Sequence, residues 1–405
     1  MRASGLGYRS GVGDLAAEML SDLPAAARLV VPDDLPSFFT AHGRALGADN
    51  VTLYLVDHEQ YVLVPVPGPA GPSRPPQPIQ TSLAGRCFSR LQAQNSDEGR
   101  RLWVPVLDGL ERLGVLELEF STSGDRADDR QVHAFAALIA DTVVAKSAYG
   151  DLFHKVRRRR PMSLAAEIAW RLLPPLTFGT DRLIISAVLE PAYDVGGDSF
   201  DYAVDATTAR FALFDAMGHG IDAGWLATVA IGAYRNSRRN ELDLPNTLAA
   251  IHTALDTQFN GERFVTAVLA ELDLASGLLA WHCAGHPAPL LLRHGRAIRT
   301  LHGGRGLPLG LGQAVDIAEE RLEPGDRLLL FTDGVTEARS ADGQFFGLDR
   351  LTDLVAREDA AGLPAPETMR RLMHAILAHE NGDLRDDATI MLVEWQGHGA
   401  ERITP

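Results

Sequence analysis

Two blocks of strand-like apolar runs, each with its own helical stretches, divide the chain. In the first block, runs at 51–56 (VTLYLV), 61–66, 102–107 (LWVPVL) and 114–120 (GVLELEF) have the length and composition of strands, and a DGLER turn joins the last two. Apolar positions at helical spacing predict helices over 37–46, 83–92 and 128–147, the last with acidic residues in its first turn. Residues 67–78, PGPAGPSRPPQP, read as a loop, because proline lacks the N–H that a helix or central strand needs. The order helix, two strands, helix, hairpin, helix predicts an α+β sheet domain with helices on one side, over 30–148, after an N-terminal segment at 1–29.

The next stretch, 149–176, reads as a continuing helix that is broken by Pro161 and closed by LLPP at 172–175, which makes it a helical linker. Beyond it, strands are predicted at 183–189, 200–204, 210–214, 265–273, 278–282, 289–293, 326–332 and 389–394. Helical stretches at 222–239, 245–259 and 365–380 alternate with them. This pattern predicts one large domain over 177–397, built of antiparallel sheets with helices packed outside. No internal repeat is present.

Charge changes this picture. The chain has 405 residues and a net charge of −15, and residues 161–405 carry 34 acidic against 20 basic side chains. Such a balance argues against nonspecific binding to nucleic acid or anionic lipid. The basic run Arg157–Arg160 lacks interleaved aromatics and reads as a solvated helix face. No run approaches the roughly 18 apolar residues of a membrane span, and no secretory signal opens the sequence, so a cytosolic protein is expected. Two distant cysteines, Cys87 and Cys283, exclude a disulfide framework and a multi-cysteine metal site.

The candidate chemistry therefore lies in carboxylates at strand ends: Asp198 in VGGDSFD, Asp215 in FDAMGHG, Asp333 in FTDGVTE and Asp386 in RDDATI. A hairpin centred between Ala206 and Thr207 pairs positions that sum to a constant, which sets Asp198 opposite Asp215. If the strands before Asp333 and after Asp386 are antiparallel neighbours, those two carboxylates share an edge as well. Four such groups would repel one another and raise one another's pKa, unless cations meet them. Two divalent ions would neutralise all four, and oxygen-only ligation favours Mg²⁺ or Mn²⁺. Two ions close together can share a bridging water, lower its pKa and clamp phosphoryl oxygens. Taken singly, an aspartate beside glycine is also an ordinary turn signal.

The ordered set EPAYDVGGDSFD, FDAMGHG, FVTAVLAELD, CAGHPAPLLL, LPLGL, LEPGDRLLLFTDGVTEA and RDDATIMLV, preceded by LLPP, resembles the PPM-type metal-dependent serine/threonine phosphatases of the SpoIIE-like and RsbU-like branch. The resemblance covers about residues 165–395. It implies an αββα sandwich and a two-metal centre of Mn²⁺ or Mg²⁺. Asp198, Asp215, Asp333 and Asp386 would be ligands, Asp215 bridging, and the backbone carbonyl of Ala216 would complete one coordination shell. Ala216 stands where the family commonly has glycine or valine. The arginine that grips phosphate in eukaryotic relatives has no assignable equivalent. The first block resembles a GAF domain in its pattern, with a PAS-like fold as the other reading. The resemblance also implies a phosphoserine or phosphothreonine substrate on an anti-sigma-factor antagonist, and a homodimer in which 149–176 forms a dimer helix. The rival from another class is a pseudophosphatase that binds a phosphoprotein without turnover.

Other residues carry two readings each. His219 could donate a proton to the leaving alkoxide or bond locally in its glycine loop. His286 in AGHP could serve the same way or mark a hairpin turn, and Asp387 reads as a support behind Asp386 or a merely exposed neighbour. Trp170, Trp225, Trp281 and Trp395 read as core or interface.

Overall fold

A computed structural model of the chain describes residues 11–68, 74–96, 98–121, 126–194, 196–293, 297–312, 315–382 and 384–397. Part of the proline-rich loop, 69–73, and Val195 of the VGGD motif lie outside the described residues. The chain divides into two compact units, one running to Arg159 and one starting at Arg160.

The first unit is built on a six-stranded antiparallel sheet whose centre is Asn50–Val56 beside Glu111–Glu119. Six of the seven residues of Asn50–Val56 are buried, so both faces of this strand need cover. Leu53 and Leu55 face a core shared with helices Gly11–Ala27, Leu35–Gly43 and Asp129–Ser147. Tyr54 and Val56 face a second core with helix Leu83–Arg90, where Cys87 and Phe88 pack on Trp103. Helices therefore lie on both faces, where a single covered face was expected. Helix Asp129–Ser147 starts with a capping box, in which Asp128 accepts from the Gln131 N–H and Gln131 accepts from the Asp128 N–H.

Within the N-terminal segment, helix Gly11–Ala27 buries Ala16, Met19 and Leu23 in the unit's core. The 149–176 stretch is interrupted at Pro161. It forms Leu152–Val156, whose Phe153 and Val156 join the first unit's core, and Leu164–Leu172, whose Ala166 and Ala169 pack in the second unit. The reason is local: Pro161 removes a donor and disfavours a helical conformation at the residue before it, and Ser163 starts a new helix by capping the Ala166 N–H. The arginine run consequently lies outside any helix, with Arg157 Nε donating to the carbonyl of Val56 and Arg159 pairing with Glu59.

The second unit is a sandwich of two sheets. One has the order Arg305–Gly306, Leu278–Ala284, Val265–Asp273, Thr208–Ala216, Asp198–Val204, with Ala318–Arg321 pairing Leu278–Ala284. The other has the order Ala297–Thr300, Leu290–Arg293, Asp326–Phe331, Ala388–Trp395, Leu183–Glu190, Thr177–Gly179. Inward residues such as Phe211, Leu213, Val268, Leu328, Leu330 and Met391 form the core between them. Alternate residues of the first sheet, Phe214 and Leu269 among them, pack under helices Gly220–Arg239 and Leu244–Phe259. Those of the second sheet, including Leu329 and Leu392, pack under Gly347–Ala360 and Ala365–His379. The layers are thus α, β, β, α. Among the described residues no helix is long and apolar enough to cross a membrane.

Candidate active site

The hairpin of Asp198–Val204 and Thr208–Ala216 sets Asp198 directly opposite Asp215. Both side chains emerge where the hairpin opens, beside Thr266 of the third strand, which pairs with Asp215. Asp198 is buried at 3% exposure, and its Oδ2 accepts from the hydroxyls of Thr332 (2.8 Å) and Thr389 (2.7 Å). Those threonines belong to the other sheet and bond to each other through their backbones, Thr332 N to Thr389 O at 3.0 Å. One carboxylate therefore ties the two sheets together at the site.

Asp387 fixes the approach to Asp198. Its Oδ2 accepts from the N–H groups of Gly196 (2.7 Å), Gly197 (2.7 Å) and Asp198 (3.1 Å). Of the two readings open from sequence, the structure excludes exposure, because Asp387 is 9% exposed and acts as a brace behind the site.

The second pair comes from the other sheet. Asp326–Phe331 and Ala388–Trp395 are antiparallel neighbours, with Phe331 opposite Ile390. Asp333 then opens the short helix Asp333–Glu337, and Asp386 lies just before its strand; both are exposed. Glycine has a packing reason in two of the motifs. A β-carbon on Gly197 would lie 2.2 Å from the Ala216 carbonyl oxygen, and one on Gly334 would lie 1.9 Å from the Asp387 carbonyl oxygen. Both glycines allow backbones to touch, which the turn reading of Gly-Asp does not explain.

The carboxylates act on one another. Burial raises the pKa of Asp198 well above the ordinary range, and the charges of Asp387 and Asp215 raise it further. Asp215 is pushed up to about 7 by burial and then by Asp333 and Asp386. Burial, Asp386 and Glu337 raise Asp333. Mutual repulsion of this kind marks a site that favours added positive charge. The donor set is all oxygen, which suits a hard divalent cation. Among the described residues, however, no three His, Cys, Asp or Glu side chains come together tightly enough to hold one ion. The inner carboxylates are held in place by hydrogen bonds, whereas the two outer ones are exposed. The residues fit the metals in kind and charge.

Ala216 is buried with its carbonyl against Gly197. His219 is exposed and stands at the N-cap of helix Gly220–Arg239 without a side-chain cap bond. His286 is more than a turn residue. It is buried, its Nε2–H donates to the carbonyl of Phe331 (3.1 Å), and its Nδ1 lies 2.8 Å from the hydroxyl of Thr266. That hydroxyl is in turn 3.3 Å from Asp215 Oδ2. Burial lowers the His286 pKa to about 4 and keeps the ring neutral. The supports Thr266, Thr332, Thr389 and His286 were missed from sequence, although the threonines stand inside the FVT, FTDG and DDAT motifs. Trp281 and Trp395 are core, but Trp225 is half exposed.

The family described as Stage II sporulation protein E (SpoIIE) matches residues 205–396, which run from the first hairpin through the last strand. This region is similar to the SpoIIE-type PPM phosphatase domain. Among curated proteins, the chain is 25% identical over 235 residues to phosphoserine phosphatase RsbU of Bacillus subtilis, an alignment spanning 57% of this chain and 69% of RsbU. It is 24% identical over 192 residues to phosphoserine phosphatase RsbP of the same organism, spanning 45% of this chain and 47% of RsbP. The chain therefore covers less than half the length of RsbP. Among solved structures, the SiaA-PP2C domain of Pseudomonas aeruginosa superposes with a TM-score of 0.49 at 23% identity, covering 57% of this chain and 94% of that one. Asp215, Asp333 and Asp386 fall inside the matched span, and Asp198 lies just ahead of it.

Proposed function

We propose that the chain is a metal-dependent protein serine/threonine phosphatase. What supports this reading is a chain of like-charge repulsion across two sheets, in which Asp215 raises Asp198, Asp333 and Asp386 raise Asp215, and Asp386 raises Asp333. These four side chains and the Ala216 carbonyl would hold two Mn²⁺ or Mg²⁺ ions. Such ions, when bound, acidify water and polarise a phosphoryl group. The protein's own contribution is placement: Thr332 and Thr389 hold Asp198, Asp387 holds the backbone ahead of it, and Thr266 with His286 flanks Asp215. Water is the nucleophile, so no phosphoenzyme forms.

By its likeness to RsbU and RsbP, the substrate is a phosphoserine or phosphothreonine on a regulatory protein of the anti-sigma-factor antagonist kind. The first unit serves as a GAF-like regulatory domain, and a homodimer is expected. Asp215→Asn and Asp333→Asn should each lower Mn²⁺-dependent hydrolysis of p-nitrophenyl phosphate by at least on the order of 10³-fold with unchanged circular dichroism. Full activity in either variant would remove the metal assignment. The pseudophosphatase reading is favoured because, among the described residues, no three His, Cys, Asp or Glu side chains stand close enough to hold one ion. Calorimetric titration decides between the two: a wild-type protein that takes up no Mn²⁺ would support the pseudophosphatase.

A further inference from the structure

We propose that Arg263 is the side chain that grips the phosphoryl group of the substrate, an inference that rests on the phosphatase reading above. The carboxylates supply only negative charge, and beside the ions they would hold, a protein cation gives a phosphomonoester dianion a second point of attachment. The ladder between Thr208–Ala216 and Val265–Asp273 continues past both strand ends, with Met217 N donating to Phe264 O at 3.3 Å. That continuation sets Arg263 opposite Gly218, three residues beyond Asp215. Gly218 has no side chain and a φ of 95°, and a β-carbon built there would lie 3.8 Å from Arg263 Nη1. The guanidinium therefore lies over the glycine loop that leads out of the carboxylate cluster.

What distinguishes Arg263 from neighbouring arginines is a fixed backbone with a loosely held head. Val265 and Leu309 exchange two backbone hydrogen bonds of 2.9 Å, and Gly310 packs so closely that a β-carbon there would meet the Arg263 carbonyl oxygen at 2.5 Å. The head is 40% exposed, and its ion pair is with Asp222 at 3.7 Å, a carboxylate that is itself 76% exposed. An exposed pair of this kind contributes about 0–1 kcal/mol, so exchanging the carboxylate for a phosphate costs little. By contrast, Arg235 and Arg238 both hold the buried carboxylate of Asp201 and are committed to structure. The planar fork of arginine suits two phosphate oxygens at once, which a lysine cannot match.

The test uses the full-length protein as wild type, Arg263→Ala, Arg263→Lys and Asp222→Ala. Inorganic phosphate is titrated calorimetrically in the presence of Mn²⁺, and KM and kcat are measured on a phosphoserine peptide. Loss of the guanidinium should weaken phosphate binding and raise KM by about tenfold or more. Arg263→Lys should recover part of each. Asp222→Ala removes the competing carboxylate and should tighten phosphate binding by about two- to fivefold. Mn²⁺ affinity without phosphate should be the same in all four proteins. Unchanged phosphate binding in Arg263→Ala, no phosphate binding by the wild type, or a parallel loss of Mn²⁺ affinity would each overturn the proposal. A wild type that binds phosphate but cleaves no peptide would count against the phosphatase reading alone, because the calorimetric comparison still decides for or against Arg263.

Discussion

The two halves of the carboxylate cluster are built on opposite plans. Asp198 and Asp215 face each other across one hairpin, with Asp198 buried and each in reach of threonine hydroxyls. Asp333 and Asp386 sit at the edge of the other sheet and are exposed. The inner pair is preorganised at an electrostatic cost, visible in the raised pKa of both groups. The outer pair stands exposed at its sheet edge, although partial burial and Asp386 still raise Asp333. The fixed half sets position, and the exposed half leaves the cluster open to an incoming cation.

Breaking the brace behind the fixed half should have the largest effect. Asp387→Ala leaves three N–H groups without their acceptor, so chemical denaturation should show a loss of about 1–3 kcal/mol or more. Mn²⁺ affinity should fall by about 10- to 100-fold, as when other outer supports of a metal site are removed. A variant with normal stability and normal affinity would show that the three bonds are incidental.

Next comes the pair of hydroxyls on Asp198. The double change Thr332→Val with Thr389→Val removes both of its side-chain donors and raises its proton affinity further. Mn²⁺ binding should weaken by roughly tenfold, most strongly at low pH. Equal weakening in a double variant of two distant buried threonines would assign the effect to packing.

Protons sharpen the comparison further. The folded pKa of Asp215 is about 7 against an ordinary 3.8, so the metal-free folded state holds a proton that the unfolded chain has released. Unfolding then releases protons between those values, and metal-free stability from this group falls as pH rises from about 4 to 7. The contribution is fully present below the unfolded pKa and lost above the folded one. Thermal melts across this range should show the decline, and Mn²⁺ should flatten it. A decline that Mn²⁺ leaves untouched would place its source elsewhere. The smallest effect belongs to the outer half: Asp386→Asn should shift metal-free stability by no more than about 0.5 kcal/mol, as expected for an exposed side chain. A shift of several kcal/mol in chemical denaturation would erase the contrast between the halves.

Much of the second unit was legible because its signals are local. The turn between 204 and 208 is short, so the facing of Asp198 and Asp215 followed from counting. The strand 265–273 was placed to the residue by its apolar run. Helix Gly347–Ala360 was missed, since GLDRLTDLVAREDA is largely charged and buries only Leu351 and Val355 firmly. Helix Gly11–Ala27 was missed because the Gly-rich start carries no cap signal, and its helical state owes most to burial against a sheet that is distant in sequence.

The sequence by itself determined the chemistry available: four acidic motifs in a set order, no cysteine cluster, and an acidic second half. It also determined the hairpin register, because a tight turn leaves one pairing open. Only the tertiary structure decided that Asp387 is a brace, that His286 reaches Thr266, and that Arg263 lies over Gly218. Those relations join residues up to 191 positions apart. No periodicity records such contacts, since they arise when two sheets stack and bring unrelated loops to one edge.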